Sequence, residues 1–186
     1  SIPDGVVRIE DSAFYYCSGF TGSLTIPDSV TSIGSSAFYK CSRLTSITIP
    51  ESVTSIGEYA FYNCTALETV TFLKDNEDNT CTFIKEYAFA KNKALKNINL
   101  ENIMLIGTRA FEGCESLEQV DLTKVYALGT QVFKDCVNLK YVDITALRNA
   151  GKETFINCTS LESIDNGIFT KFSEGMFKNS GLKTLT

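Results

Sequence analysis

The sequence predicts an α/β repeat solenoid of about eight stacked coils, and three observations carry that expectation. The first is the spacing of phenylalanine. Phe14, Phe38, Phe61, Phe89, Phe111, Phe133, Phe155 and Phe177 follow one another at intervals of 24, 23, 28, 22, 22, 22 and 22 residues. The second is what stands three positions later: Cys17, Cys41, Cys64, Asn92, Cys114, Cys136, Cys158 and Ser180. The third is an alternating apolar segment in each unit, such as Leu44-x-x-Ile47-x-Ile49 and Leu139-x-x-Val142-x-Ile144. Its last two apolar positions have the period of two that a half-buried strand requires.

Each element follows from that register. The strand segments recur as Leu67/Val70/Phe72, Leu95/Ile98/Leu100 and Leu117/Val120/Leu122. A second apolar pair, such as Val53 and Ile56, precedes Gly34, Gly57, Gly107 and Gly129 in their coils, where a turn with unusual dihedrals would want glycine. The stretch at 58–63, E-Y-A-F-Y-N, reads as a single helical turn on the opposite wall. Small or apolar residues precede most of the phenylalanines, with Thr154 the polar exception. A coil of about 22 residues cannot bury its own apolar face, so stacking coil on coil is the physical solution.

These motifs, Leu-x-x-Ile-x-Ile-Pro, then Ile-Gly, then Ala-Phe-x-x-Cys, resemble the BspA-like (Treponema-type) leucine-rich repeats over nearly the whole chain. The departures are local: Pro follows the strand only at Pro3, Pro27 and Pro50, Lys85 replaces the turn glycine, and Asn166-Gly167 interrupts the last full strand pattern. The resemblance implies a right-handed coil with a parallel sheet on its concave face and short helical or irregular segments on the convex side. It also implies a secreted or surface-displayed microbial protein, several relatives being adhesins for host matrix or cell-surface proteins. The whole of 1–186 is expected to be one such domain and a fragment of a longer protein, because no capping unit is evident at the C-terminal end. The start, Ser1 to Gly5, lacks the basic and apolar regions of a signal peptide.

Composition narrows the function classes. The formal net charge is −5, which argues against a nucleic-acid partner. Histidine is absent, removing the commonest general base and the commonest neutral metal ligand. No apolar run approaches the ~20 residues of a membrane span. With acids in surface columns and thiols in a repeat position, no enzyme and no cofactor are expected. Six of the seven cysteines share one repeat position with Asn92 and Ser180, which suggests a small hydrogen-bonding group facing turn backbone. Cys81 falls where Val30 and Val53 lie in their coils. Parallel thiols repeating at ~4.8 Å fit a disulfide poorly, so structural free thiols are expected. The sequons at Asn63 and Asn157 belong to the repeat pattern and read as incidental.

The strand residues between the apolar positions should face out on the concave side, where such solenoids bind ligands. After the first leucine come Thr45, Glu68, Lys96, Glu118, Lys140, Glu162 and Lys183, a charge-alternating column. It reads as a self-compensating ladder. Between the last two apolar positions come Thr25, Thr48, Thr71, Asn99, Asp121, Asp143, Asp165 and Thr186. Neighbouring lysines can neutralise the aspartates of that column. The sharper alternative makes Asp121, Asp143 and Asp165 an acidic strip for Ca²⁺ or for a basic segment of a partner. A third column, Ser46, Thr69, Asn97, Gln119, Tyr141 and Ser163, is uncharged, with Tyr141 its aromatic anchor. On the far wall Tyr15, Tyr39 and Tyr62 form an aromatic column that either covers core or offers a contact surface. The longest unit carries an acidic insertion with Asp75, Glu77 and Asp78, read as a surface loop with binding as the alternative. The expected function is recognition of a protein ligand through these columns. The alternatives are an architectural spacer of a larger surface protein and a glycan-binding module.

Overall fold

A computed structural model describes residues 1–73, 82–167, 169 and 171–185. The chain winds as a parallel β-solenoid of about seven turns, bounded by its eight phenylalanines. One wall is a ladder of short strands: β1 (Arg8–Ile9), β3 (Ser32–Ile33), β5 (Ser55–Ile56), β7 (Thr82–Ile84), β9 (Ile103–Ile106), β11 (Ala127–Leu128) and β13 (Asn149–Ala150). All seven lie in one parallel sheet in that order. A second wall comprises β2 (Gly22–Thr25), β4 (Leu44–Ile49), β6 (Thr69–Phe72) and β8 (Asn97–Ile98), followed by β10 (Gln119–Asp121), β12 (Tyr141–Asp143), β14 (Ser163–Asp165) and β15 (Thr184–Leu185). Among the described residues this ladder is split: β8 pairs only with β6, and β10 only with β12.

The third wall departs from the sequence-based expectation. Among the described residues there is no helix, so the α/β class and the helical turn at 58–63 are corrected to an all-β solenoid with turns. The reason lies in the backbone. The residues two before and two after each phenylalanine are left-handed, for instance Tyr59 (φ 56°) and Asn63 (φ 56°) around Phe61, or Gln131 (φ 57°) and Asp135 (φ 61°) around Phe133. A right-handed helix cannot contain such residues. Alternate amides instead point along the solenoid axis. Tyr16 N donates to Tyr39 O and Phe14 N to Ala37 O, both at 2.8 Å, and Phe38 N donates to Ala60 O at 2.7 Å. The amides between them close tight turns within the coil, as in Cys17 N to Phe14 O at 3.1 Å. Every coil thus serves as the hydrogen-bond partner of the next, which is where the cost of a left-handed non-glycine residue is offset.

The core is one continuous column of apolar side chains. Phe38, Phe61, Phe89, Phe111, Phe133 and Phe155 are completely buried. Successive rings stack at 5.0 to 5.6 Å between centroids from Phe38 to Phe177. The cysteine position behaves as its composition suggested. Cys41 Sγ donates to Phe14 O at 3.2 Å, Cys64 to Phe38 O at 3.1 Å, and Cys136 to Phe111 O at 3.2 Å. Asn92 uses its Nδ2 for the same bond to Phe61 O at 3.0 Å. The thiols of Cys17, Cys41, Cys64, Cys114, Cys136 and Cys158 are free. Burial pushes the Cys41 thiol up to about 11 and those of Cys114 and Cys158 up to about 12, which leaves them poor nucleophiles. Cys81 lies outside the described residues. Thr154 satisfies its hydroxyl by donating to Gly151 O at 2.7 Å.

The repeat glycines also need a corrected reason. Gly34, Gly57, Gly107 and Gly129 do not have left-handed backbone. They stand where two coils touch: a Cβ on Gly57 would lie 2.5 Å from the backbone of Gly34 and Ser35, and one on Gly129 would lie 2.5 Å from Thr108 N. Lys85 fills this position in the fourth coil, whose strand β7 shifts register against β9 between Thr82 and Phe83.

Candidate functional site

The long-strand wall arrays the predicted columns rung by rung. Ser46 is opposite Thr69, Thr69 opposite Asn97, Gln119 opposite Tyr141, and Tyr141 opposite Ser163. The apolar residues between them (Ile47, Val70, Val120, Val142 and Ile164) are buried, so the polar columns necessarily face outward. Thr71, at the far end of β6, is opposite Thr48.

The charge-alternating column closes into pairs. Lys96 Nζ lies 3.2 Å from Glu68, Lys140 Nζ lies 2.7 Å from Glu118, and Lys183 Nζ lies 2.9 Å from Glu162. Hydrogen bonding and charge from Lys140 hold the Glu118 carboxyl below the ordinary carboxylate value, and Lys183 does the same for Glu162. All six side chains are more than half exposed, so water screens these pairs and they set register more than stability.

The aspartate column has a structural reason that the sequence reading missed. Asp121 Oδ1 accepts from the amide of Thr123 at 2.8 Å and from its hydroxyl at 2.6 Å. Asp143 repeats the arrangement with Thr145 at 2.9 and 2.6 Å, and Asp165 accepts from Gly167 N at 3.3 Å. Each aspartate ends its strand in an Asx turn, the task done by proline at Pro27 and Pro50 in the early coils. Among the described residues no group of three or more His, Cys, Asp or Glu side chains is placed to hold a metal ion. Asn99 is likewise committed. Its Oδ1 accepts from Phe72 N at 2.7 Å and its Nδ2 donates to Phe72 O at 2.9 Å, continuing the ladder past the end of β8 with a side chain.

What remains open is a pair of adjoining depressions at the split between β8 and β10. One, of about 460 Å³, is lined by Lys96, Gln119, Asn138, Lys140 and Tyr141 among others. The other, of about 360 Å³, shares Lys96, Asn97 and Gln119 with it and extends to Thr69 and Asn99. Tyr141 is 43% exposed. Partial burial, and then the carboxylates of Asp143, Asp165 and Asp121, push its hydroxyl up, so it stays a neutral hydrogen-bond donor over a mixed polar floor. Asn138 was not singled out from the sequence, whereas Asn97 was placed in the uncharged column, where it stands opposite Thr69. Insertion residues Asp75, Glu77 and Asp78 lie outside the described residues.

On the turn wall the tyrosines stack on one another. Tyr15 and Tyr39 have centroids 4.8 Å apart, Tyr39 and Tyr62 5.1 Å, and Tyr59 and Tyr87 4.7 Å. Tyr39 is thus stacked on both faces, while Tyr15 at the end of the column stays 48% exposed.

A solenoid with this register, a Phe-x-x-Cys column inside and an outward-facing polar ladder defines a leucine-rich-repeat protein. The chain belongs to the BspA-type leucine-rich-repeat family, whose repeat region matches in 6 copies over residues 1–101 and 82–186. No curated protein matches the sequence. Among solved structures, the leucine-rich-repeat protein of T. pallidum is similar with a TM-score of 0.73 and 26% identity, over 86% of this chain and 73% of that one. A leucine-rich-repeat protein from Bacteroides ovatus gives 0.59 and 29%, covering 89% of this chain and 48% of its own. A leucine-rich cell surface protein from Faecalibacterium prausnitzii gives 0.54 and 26%, covering 76% and 46%. The chain thus spans about half the length of the latter two.

Proposed function

We propose that the chain is a protein-recognition module displayed at a microbial cell surface, with its ligand seated on the long-strand wall around Lys96, Gln119, Lys140 and Tyr141. The observation that carries this reading is the polar depression at the split in the ladder, with an exposed tyrosine at its edge. Tyrosine over a mixed hydrogen-bonding floor is the composition of a binding hot spot. Leucine-rich-repeat proteins are in general protein-interaction modules, and the surface location is supported by the F. prausnitzii relative. With Glu68, Glu118 and Glu162 paired to lysines, Asp121, Asp143 and Asp165 give the wall its acidic character and would set the charge of the partner. Host extracellular-matrix or cell-surface proteins are the class of ligand to test first. Among the described residues no helix is long and apolar enough to cross a membrane.

One observation favours a spacer instead: the charged column neutralises itself without help from a partner. Surface-immobilised matrix proteins titrated with the chain separate the two. Recognition predicts saturable binding that Tyr141→Ala weakens by about tenfold or more. A spacer predicts no saturable binding to any of them, or binding indifferent to Tyr141.

A further inference from the structure

The short-strand wall carries a feature the recognition site does not use. Its outward column is polar in the early coils, at Arg8, Ser32 and Ser55, and polar again at Asn149. Between them it becomes Phe83, Leu105 and Ala127, held in one register by β7, β9 and β11. Phe83 is 43% exposed, Leu105 38%, and Met104 and Tyr126 beside them 41% and 51%. Scattered exposed apolar residues are ordinary, but Phe83, Leu105 and Ala127 sit on consecutive rungs and line a shallow groove of about 510 Å³. The groove is bounded toward the turns by Glu58 and Glu86. These two stand at the same repeat position in adjacent coils, three residues before Phe61 and Phe89. Among the described residues neither forms an ion pair, in contrast to Glu68, Glu112, Glu115, Glu118, Glu162 and Glu174. Lys85 also lines the groove. Two carboxylates of adjacent coils against one lysine leave the groove rim with an excess of negative charge, which favours a cationic group placed beside them.

We propose that this groove is a second docking surface, for an extended segment of a partner protein in which apolar residues alternate with Lys or Arg. The apolar side chains lie on Phe83, Leu105 and Ala127, and the flanking cations meet Glu58 and Glu86. Two rungs of the ladder span ~10 Å, room for about three extended residues, so the recognised element is short. This surface is on a different wall from Tyr141 and does not depend on the function proposed for that site.

The test uses the full chain and three fluorescently labelled peptides: KLKFK, its acidic counterpart ELEFE, and the charge-only control KSKSK. Anisotropy titrations at low salt are expected to show saturable binding of KLKFK, with the two controls weaker by about tenfold or more. Phe83→Ser should lose about tenfold, since burying an aromatic side chain is worth that much. The Glu58→Gln/Glu86→Gln pair should lose several-fold and flatten the salt dependence. Tyr141→Ala should change nothing. Leu105→Ser provides a second apolar probe should Phe83→Ser disturb folding, which circular dichroism would show. Equal binding of the controls, indifference to both apolar variants, or loss through Tyr141→Ala would overturn the proposal. Sedimentation showing Phe83-dependent self-association without peptide binding would also overturn it, and would assign the strip to a second copy of the chain.

Discussion

The coils before Asn92 and those after it share one backbone path but are held along their outer walls by different chemistry. Before it, the turn wall is bridged by aromatic stacking, Tyr15 on Tyr39 on Tyr62, with the Lys40 ammonium bonded to the Tyr16 hydroxyl at 2.8 Å. After it, the same positions carry ions and amides. Glu112 accepts from Lys91 at 3.0 Å and faces Lys134 at 3.6 Å, Asn157 donates to Asp135 at 2.7 Å, and Asn179 donates to Asn157 at 3.0 Å. Arg109 joins the two regimes, bonding the Tyr87 hydroxyl at 2.7 Å on one side and Gln131 on the other. Strand ends change at the same place, from Pro27 and Pro50 to the Asx turns of Asp121 and Asp143. The comparison shows that a surface position of the repeat specifies a task, reaching the neighbouring coil, and leaves the residue type open. The phenylalanine column and the glycines packed against neighbouring backbone allow far less freedom.

The largest expected effect tests that last statement. Gly57→Ala in the first half and Gly129→Ala in the second should each destabilise by about 1–3 kcal/mol, because a methyl group there meets neighbouring backbone at 2.5 Å that side-chain repacking cannot relieve. Chemical denaturation of both variants checks it. If only one half is sensitive, the coils are not equivalent inside and the comparison fails at its base.

A smaller effect of opposite sign is expected at the junction. Asn92 satisfies its Nδ2 but leaves Oδ1 buried without a hydrogen-bond partner. An orphaned buried acceptor costs about 1–3 kcal/mol. Asn92→Cys restores the donor used at Cys64 and Cys114 and deletes the orphan, so it should raise the denaturation midpoint by an equivalent of about 1 kcal/mol or more. The mirror variant, Cys64→Asn, should lower it. A destabilised Asn92→Cys would mean that the split between β8 and β10 needs the amide for its local geometry.

Which features the sequence revealed follows from how each is encoded. Phe61 and Cys64 recur as identities at fixed spacing, so the inner column could be read directly, and the Glu118 and Lys140 pairing followed once the register was known. The turn at 58–63 was misread because an apolar residue followed three positions later by another is also what a helix shows. A signal against the helix did exist: Asn63, Gly113, Asp135, Asn157 and Asn179, residue types that tolerate left-handed backbone, share one repeat position. The glycine column was seen but assigned to dihedrals, since contact between coils is invisible in one dimension. The apolar strip of Phe83, Leu105 and Ala127 stayed hidden because strands β7, β9 and β11, of three, four and two residues, offer too little alternation to say which face is out.

The smallest effect concerns the exposed charges and should be confined to the later coils. Glu118, Glu162 and Glu174 are each held below the ordinary value of 4.5 by a hydrogen-bonded lysine, Lys140, Lys183 and Lys152 respectively. A carboxylate whose value is lowered by folding favours the folded state fully above that ordinary value, and the contribution disappears as pH falls through the lowered one. Acidification from neutrality should therefore loosen the later coils more than the earlier ones, by a modest amount because all three acids are exposed. Amide hydrogen exchange reads this locally: protection around Tyr141–Asp143 and Ser163–Asp165 should fall at low pH ahead of protection around Leu44–Ile49. Added salt should shrink the difference, and Lys140→Gln should abolish it at β12 while leaving β4 unchanged. A uniform response along the solenoid would show that the ionic ladders of the second half contribute nothing that the tyrosine stacks of the first do not.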